Sequence, residues 1–236
     1  MCQRPCMTRR IAAAARPAAV RRCKWLSPLL LPFAVLAVAC TPTRFEATND
    51  IPPPLIEKIP VVVGVHLPLE FREKVYEEKR ESGAQYSIGL GKAQSAGIMR
   101  IFEALFLRVV PVPSPGDAAR VDPEIRGVLE PVLEDYAFVT PMDSGTQTYA
   151  ASLRYTIRLY TPNGELVDSW TFTGYGSQPG SAFPGKGDAA LQAATRLAMR
   201  DAAAKLAAEF HEQAIARGLI GPGAQAAPAE VVPPQR

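Results

Sequence analysis

The stretch "TYAASLRYTIRLYTPNGELVDSWTFTG", residues 148–174, decides the fold. Ala151, Leu153, Tyr155, Ile157 and Leu159 alternate with Ser152, Arg154, Thr156 and Arg158. A period of two is that of a strand with one buried and one wet face. Asn163-Gly164 follows, a pair that tolerates the positive φ of tight hairpin turns. Trp170 and Phe172 continue the apolar face on the return strand. The segment predicts an antiparallel hairpin that another layer must cover.

That layer is legible on both sides. Residues 188–218 predict a long helix, with Leu191, Ala194, Ala198, Ala202, Leu206 and Phe210 on one stripe. Asp188 suits its N-cap and Gly218 the position after its end. Asp201 and Lys205 are spaced to pair one turn apart on another face, and the many alanines permit close packing on a sheet. Upstream, residues 92–109 place Ile98, Ile101, Phe102, Leu105 and Phe106 on the stripe of a second helix, which Gly97 weakens by roughly 1 kcal/mol relative to Ala. The apolar, β-branched run at 60–67 predicts a buried strand and 86–91 a short extended one. Residues 124–140 predict a further strand, where Pro131 marks a bulge or break. Residues 70–83 are charged and fit a short helix or an edge hairpin, while Pro111 and Pro113 confine any strand there to an edge. The expectation is an α+β fold: a mainly antiparallel sheet with two helices packed on one face, a two-layer sandwich.

The amino terminus concerns address rather than fold. Residues 1–39 hold seven Lys/Arg and no Asp/Glu. Without them, 19 Lys/Arg stand against 23 Asp/Glu, a net charge of −4, so the chain's overall +3 belongs to this segment. No basic patch points to nucleic acid. "RRCKW" is a positive region, and residues 26–39 are an apolar core of signal-peptide length, short for a membrane span. "LAVAC", residues 36–40, then places small residues before a cysteine. This resembles the lipobox of bacterial lipoproteins, with Ala37 where that pattern usually has leucine. The resemblance implies that Cys40 is the lipid-modified first residue of the mature chain, and Thr41, in place of aspartate, implies the outer membrane. The other cysteines, Cys2, Cys6 and Cys23, all precede Cys40, so no disulfide pair remains after cleavage.

The expected organisation is a signal peptide (1–39), a lipidated Cys with a Pro-rich tether (40–59), a periplasmic α+β domain (60–220) and a disordered tail (221–236). Pro52, Pro53 and Pro54 favour an extended tether of roughly 3.1 Å per residue. The layout is similar to small periplasmic lipoprotein domains such as the LPS-assembly lipoprotein and the amino-terminal domain of TolB. That likeness rests on element order and carries no function with it.

Chemistry is sparse. "GSAFPGKGDAAL", residues 180–191, approaches a phosphate-binding loop through Gly180, Gly185 and Lys186, but Gly187 stands where Ser or Thr would hold magnesium. We read it as a glycine-rich loop leading into a helix, and expect no nucleotide. His66 and His211 have no local cluster of ligands, so no metal site and no cofactor are expected. "GSQPGS" lacks the G-x-S-x-G pattern of a nucleophile elbow. Glu124, Glu130, Glu134 and Asp135 read as an acidic solvent face rather than a glycosidase pair. Exposed aromatic residues near 170–185 fit a protein-contact patch. The expected contact residues are Tyr175, Phe183, Trp170 and Lys186, and the expected contact region is the 174–187 loop with the Asn163-Gly164 hairpin end. The expected role is a non-enzymatic accessory or binding subunit in envelope assembly, secretion or transport. The alternative is a lipid-, glycan- or peptidoglycan-binding module, which calls for an apolar groove between helix 92–109 and the sheet. A hydrolase is the third reading.

Overall fold

The hairpin at 148–174 forms one side of the larger of the two sheets among the described residues, with its return strand at the edge. The computed structural model describes residues 42–48 and 58–216, with the backbone alone from 211 onward. Its strands are β1 (Thr43–Glu46), β2 (Ile59–Val65), β3 (Val75–Lys79), β4 (Gln85–Gly89), β5 (Phe106–Pro111), β6 (Ile125–Val139), β7 (Thr148–Tyr160) and β8 (Leu166–Pro179). Its helices are α1 (Leu69–Arg72), α2 (Gly91–Leu105), α3 (Ala118–Val121), α4 (Pro141–Ser144) and α5 (Gly187–Ala216), with 3-10 turns at Pro115–Asp117 and Gly180–Ala182. The leader, Cys40, the prolines at 52–54, Gly218 and the tail lie outside the described residues.

Strands β7 and β8 pair antiparallel from Thr148 opposite Pro179 to Tyr160 opposite Leu166. Gly164 takes φ +91° in the turn between them, a conformation open to glycine. The five expected apolar positions of β7 are all buried, as are Trp170 and Phe172 on β8. Helices α2 and α5 cover that face: Ile101, Phe102, Leu105, Leu191, Ala198 and Leu206 share one core with Leu153 and Ile157. The α+β sandwich with two helices on one face is therefore observed.

The sheet itself is mixed rather than mainly antiparallel. Its order is β5-β2-β6-β7-β8, and β2 runs parallel to both β5 and β6. The cause is connectivity: α1, the β3–β4 pair and α2 intervene between β2 and β5, and the 3-10 turn and α3 between β5 and β6, and crossovers of this kind deliver parallel strands. The continuous run Val61-Val62-Val63 fits this position. Val63 enters the main core, while Val62 packs on the opposite face with Val112, Ala118, Ile125 and Val128. Strand β5 takes the edge, in keeping with Pro111 at its end. It begins at Phe106, so the second helix ends four residues before the expected limit.

Pro131 neither bulges nor breaks β6. It sits opposite Ile157 in the β7 ladder, and the irregularity falls between Leu133 and Asp135. Pairing with β2 ends at Leu129, so Pro131 stands where β6 has a neighbour on one side only, and its missing N–H is tolerated there.

A second sheet, β1-β4-β3, packs beside the free part of β6. The charged stretch at 70–83 resolves into α1 followed by the edge strand β3. Tyr76 and Tyr86 meet Tyr136 and Phe138 edge-on at centroid distances of 4.9 and 4.7 Å. The remaining strand of this sheet corrects the expected tether. Residues 43–46 are strand β1, parallel to β4 from Thr43 opposite Tyr86 to Glu46 opposite Gly89. Ala47 is buried, its N–H donating to the Gly89 carbonyl at 2.8 Å.

Helix α5 begins at Gly187, which places Asp188 in the first turn rather than at the N-cap; there its charge still complements the helix dipole. All six expected stripe residues are buried. Asp201 and Lys205 do pair, at 2.7 Å, and also close the open edge of β8. The Tyr175 N–H donates to Asp201 Oδ2 at 2.8 Å, and Lys205 Nζ donates to the Thr173 carbonyl at 2.8 Å. Satisfying edge-strand backbone groups in this way removes a template for strand addition.

Candidate functional site

Three amides of the glycine-rich loop already donate to backbone carbonyls. Gly180 N–H donates to the Gln147 carbonyl at 2.7 Å, Phe183 N–H to Gly180 at 2.9 Å and Lys186 N–H to Phe183 at 3.0 Å. The strand before it, β8, belongs to an antiparallel hairpin. These amides are not aimed at a phosphate, and Gly187 packs beside the Tyr149 phenol.

The expected contact residues fall in three places. Tyr175 is 64% exposed on β8, with Lys205 Nζ 5.0 Å above its ring. Phe183 and Lys186 line a depression of about 350 Å³ with Pro141, Gln147 and Tyr149. Trp170 is buried against Phe210 and is core, which corrects its place among the contacts. The Asn163-Gly164 turn and the 180–187 loop occupy opposite ends of β8. Its 14 residues span roughly 45 Å, so the two do not form one patch.

Between α2, the sheet and α5, among the described residues, lies a small void of about 20 Å³, lined by Gln94, Ile98, Tyr155, Phe172 and Met199 among others. That is room for about one water and not for a ligand. A larger concavity, about 670 Å³, opens outside the core at the carboxyl ends of β2 and β5. Val65, Leu67, Met99, Pro111 and Val112 make its apolar wall, and His66 and Arg72 add polar groups.

His66 also touches a polar cluster on the sheet face away from α2 and α5. Its Nε2 lies 3.7 Å from Glu130 Oε2 and its Nδ1 3.3 Å from the Val112 carbonyl oxygen. Glu130 is buried and accepts from Arg158 Nη1 at 3.2 Å and from the Tyr160 hydroxyl at 3.1 Å. Burial, and then the Glu130 charge, push the Tyr160 phenol upward. A buried carboxylate with three partners is a satisfied structural group. The other carboxylates once grouped with it lie elsewhere: Glu124 pairs with Arg108, while Glu134 and Asp135 are exposed beside the β6 irregularity. The alternation of β7 already placed Arg158 on the wet face. Glu130 became its partner only through the β6–β7 register, which the expected break at Pro131 concealed. Among the described residues, no group of three His, Cys, Asp or Glu could hold a metal ion.

The turn α4 presents Met142, 82% exposed, on a fixed base. Thr140 and Asp143 form a capping box, and Gly145 closes the turn at φ +67°. Asp143 also pairs with Arg80, whose guanidinium stacks over Phe138 at 4.5 Å. Burial pushes the Asp143 carboxyl up, but Arg80 and the hydroxyl and amide of Thr140 more than reverse this and hold it at about 2, against an ordinary 3.8. A depressed carboxyl contributes stability above its unfolded value and loses it as pH falls through the folded one. Wild type should therefore lose more stability between pH 4 and pH 2 than Asp143→Asn does. Urea midpoints of both proteins across that window check this; parallel curves would reject it.

No family model and no curated protein matches the chain. Among solved structures it is similar to protein XCC0632 from Xanthomonas campestris, at 13% identity over 75% of this chain and 99% of that one, with a TM-score of 0.49. It is also similar to a minor lipoprotein from Acinetobacter baumannii, at 11% identity over 66% and 95%, TM-score 0.41. A third is protein CT253 from Chlamydia trachomatis, at 12% identity over 67% and 99%, TM-score 0.42. Likenesses of this strength assign neither family nor function.

Proposed function

We propose that this protein is an envelope lipoprotein, anchored to the outer membrane through Cys40, whose periplasmic domain is a non-enzymatic accessory or binding subunit in envelope assembly, secretion or transport. The observation that carries the reading is where the first described strand lies. Strand β1 starts at Thr43, three residues after the lipobox cysteine, and Gln192 Nε2 ties its end by donating to the Glu46 carbonyl at 2.7 Å. A chain cleaved before Cys40 thus keeps every described element. Among the described residues no helix is long and apolar enough to cross a membrane. Attachment would then rest on the acyl chains, each buried methylene contributing roughly 0.8 kcal/mol.

The partner surface in this reading is the flank of β8 around Tyr175. Mass spectrometry of the native protein and Cys40→Ser should find acyl mass on the first alone, and density-gradient fractions should place only the first with outer membrane. In-cell crosslinking of the native protein should recover a discrete protein partner, lost with Cys40→Ser and weakened by Tyr175→Ala. Identical fractionation of the two proteins would reject the anchor, and crosslinks unchanged by Tyr175→Ala would reject that surface. A lipid- or glycan-binding module is the second reading. The packed space between α2 and the sheet counts against its expected location, and the outer concavity beside Met99 and His66 is what favours it.

A further inference from the structure

We infer that the end of the domain built from α4, the 180–187 loop and the start of β1 lies against the headgroups of the membrane that holds Cys40. This rests on the lipid-anchor reading above and adds an orientation to it.

The first argument is reach. Three trans peptide links separate Cys40 from Thr43, and consecutive Cα atoms lie 3.80 Å apart, so the two Cα atoms are within roughly 11 Å whichever way the chain turns. The headgroup region on one side of a bilayer is itself roughly 5–8 Å thick. With acyl chains on Cys40, Thr43 is therefore held at the membrane surface. The Pro-rich segment cannot act as a spacer, because it follows β1 in the chain.

The second argument is which surface Thr43 shares. With Tyr86, Pro141, Met142, Tyr149 and Asp188 it borders a depression of about 380 Å³. Across Tyr149, Phe183 and Lys186 border the neighbouring one. Strand β1 runs from this end toward the interior of the domain, so the chain leaves toward Cys40 from here.

The third argument is chemistry. Met142 is the most exposed large hydrophobic side chain of the described residues, and α4 holds it rigidly outward. Phe183 is half-buried and Tyr149 presents a phenol, while Lys186 and Arg44 are exposed cations. Of the carboxylates at this end, Asp143 is paired with Arg80 and Asp188 is exposed. An apolar tip, aromatic rings with polar ends and long cationic side chains are the groups that settle at a bilayer interface. Penetration is shallow, on the order of 5–10 Å, so the effect is on orientation.

The test uses acylated, full-length mature protein in vesicles of phosphatidylethanolamine and phosphatidylglycerol. Cys40 is acylated in this material and no other cysteine follows it, so Met142→Cys and, separately, Asn163→Cys accept a polarity-sensitive fluorophore. Residue 163 is at the far end of the β7–β8 ribbon. The label at 142 should shift to shorter wavelength and lose intensity to brominated lipid, and the label at 163 should do neither. Equal, water-like emission from both sites in acylated, vesicle-bound protein would overturn the inference and leave the anchor intact. Absence of acyl mass on the native protein isolated from cells would overturn both. The same blue shift at 142 in the Cys40→Ser background without vesicles would assign this end to a second copy of the chain and likewise overturn it.

Discussion

Gly176→Ala is expected to destabilise the protein by about 3 kcal/mol, with a fall in melting temperature of roughly 6–12 °C. A methyl group at 176 would overlap the Ala194 carbonyl oxygen and the Ala198 amide nitrogen, and would stand 2.8 Å from Leu197 Cβ. At Gly174 it would overlap the Ala198 carbonyl oxygen and stand 2.6 Å from Ala202 N and Cβ. These neighbours are backbone and methyl atoms of α5, so no side chain can rotate away. The helix cannot retreat either, because Leu191 and Leu206 on either side of the contact are buried in the core. Overpacking ordinarily costs 1–3 kcal/mol, and a contact with nothing flexible in it belongs at the upper end. Relief of glycine's extra conformational freedom returns only about 0.5–1 kcal/mol. Gly116→Ala is the control: its methyl would meet only Asn163 O, at an ordinary 3.5 Å, and should change stability by less than about 0.5 kcal/mol. Equal melting temperatures for Gly176→Ala and wild type would mean that α5 does not lie on β8 at this distance.

The contrast between those glycines and the elements around them shows what the sequence can express. Strand β7 and helix α5 were legible because each is long enough for its period to repeat. Close helix–sheet contact was foreshadowed by the alanines of α5, but the complementary glycines of β8 read only as a loop approaching. Strand β5 was absorbed into the preceding helix because Phe106 continues the apolar stripe of α2. Strand β1 was missed for a different reason. It is four residues long, too short for alternation to declare itself. Its partner β4 is some forty residues away, and the prolines that follow it suggested a tether. Trp170 was readable and misassigned: it shares the buried parity of Phe172, and that parity should have outweighed its nearness to the loop. The His66–Glu130–Arg158 cluster depends on two registers at once, β2 with β6 and β6 with β7, which local pattern does not specify.

The ring cluster around that tryptophan supports the second large effect. Phe210→Ala should cost about 4 kcal/mol, lowering the melting temperature by roughly 8–16 °C. Phe210 is fully buried, with ring centroids 6.1 Å from Phe102, 5.1 Å from Phe106 and 5.3 Å from Trp170, all edge-on. It is the point where α5 meets α2, the start of β5 and β8 together. Truncation removes the transfer free energy of the ring and leaves a cavity that three rigid aromatics on separate elements cannot collapse to fill. The loss differs in kind from that at Gly176, where atoms are added, and an apolar ligand separates the two. A dry cavity walled by aromatic rings accepts benzene, so benzene should raise the melting temperature of Phe210→Ala and leave that of Gly176→Ala unchanged. Trp170 supplies an independent signal, since it is the sole tryptophan after residue 39. Its emission in mature Phe210→Ala should shift to longer wavelength as water gains access to the indole. A melting temperature and an emission maximum both unchanged from wild type would show that α5 is not docked through this ring.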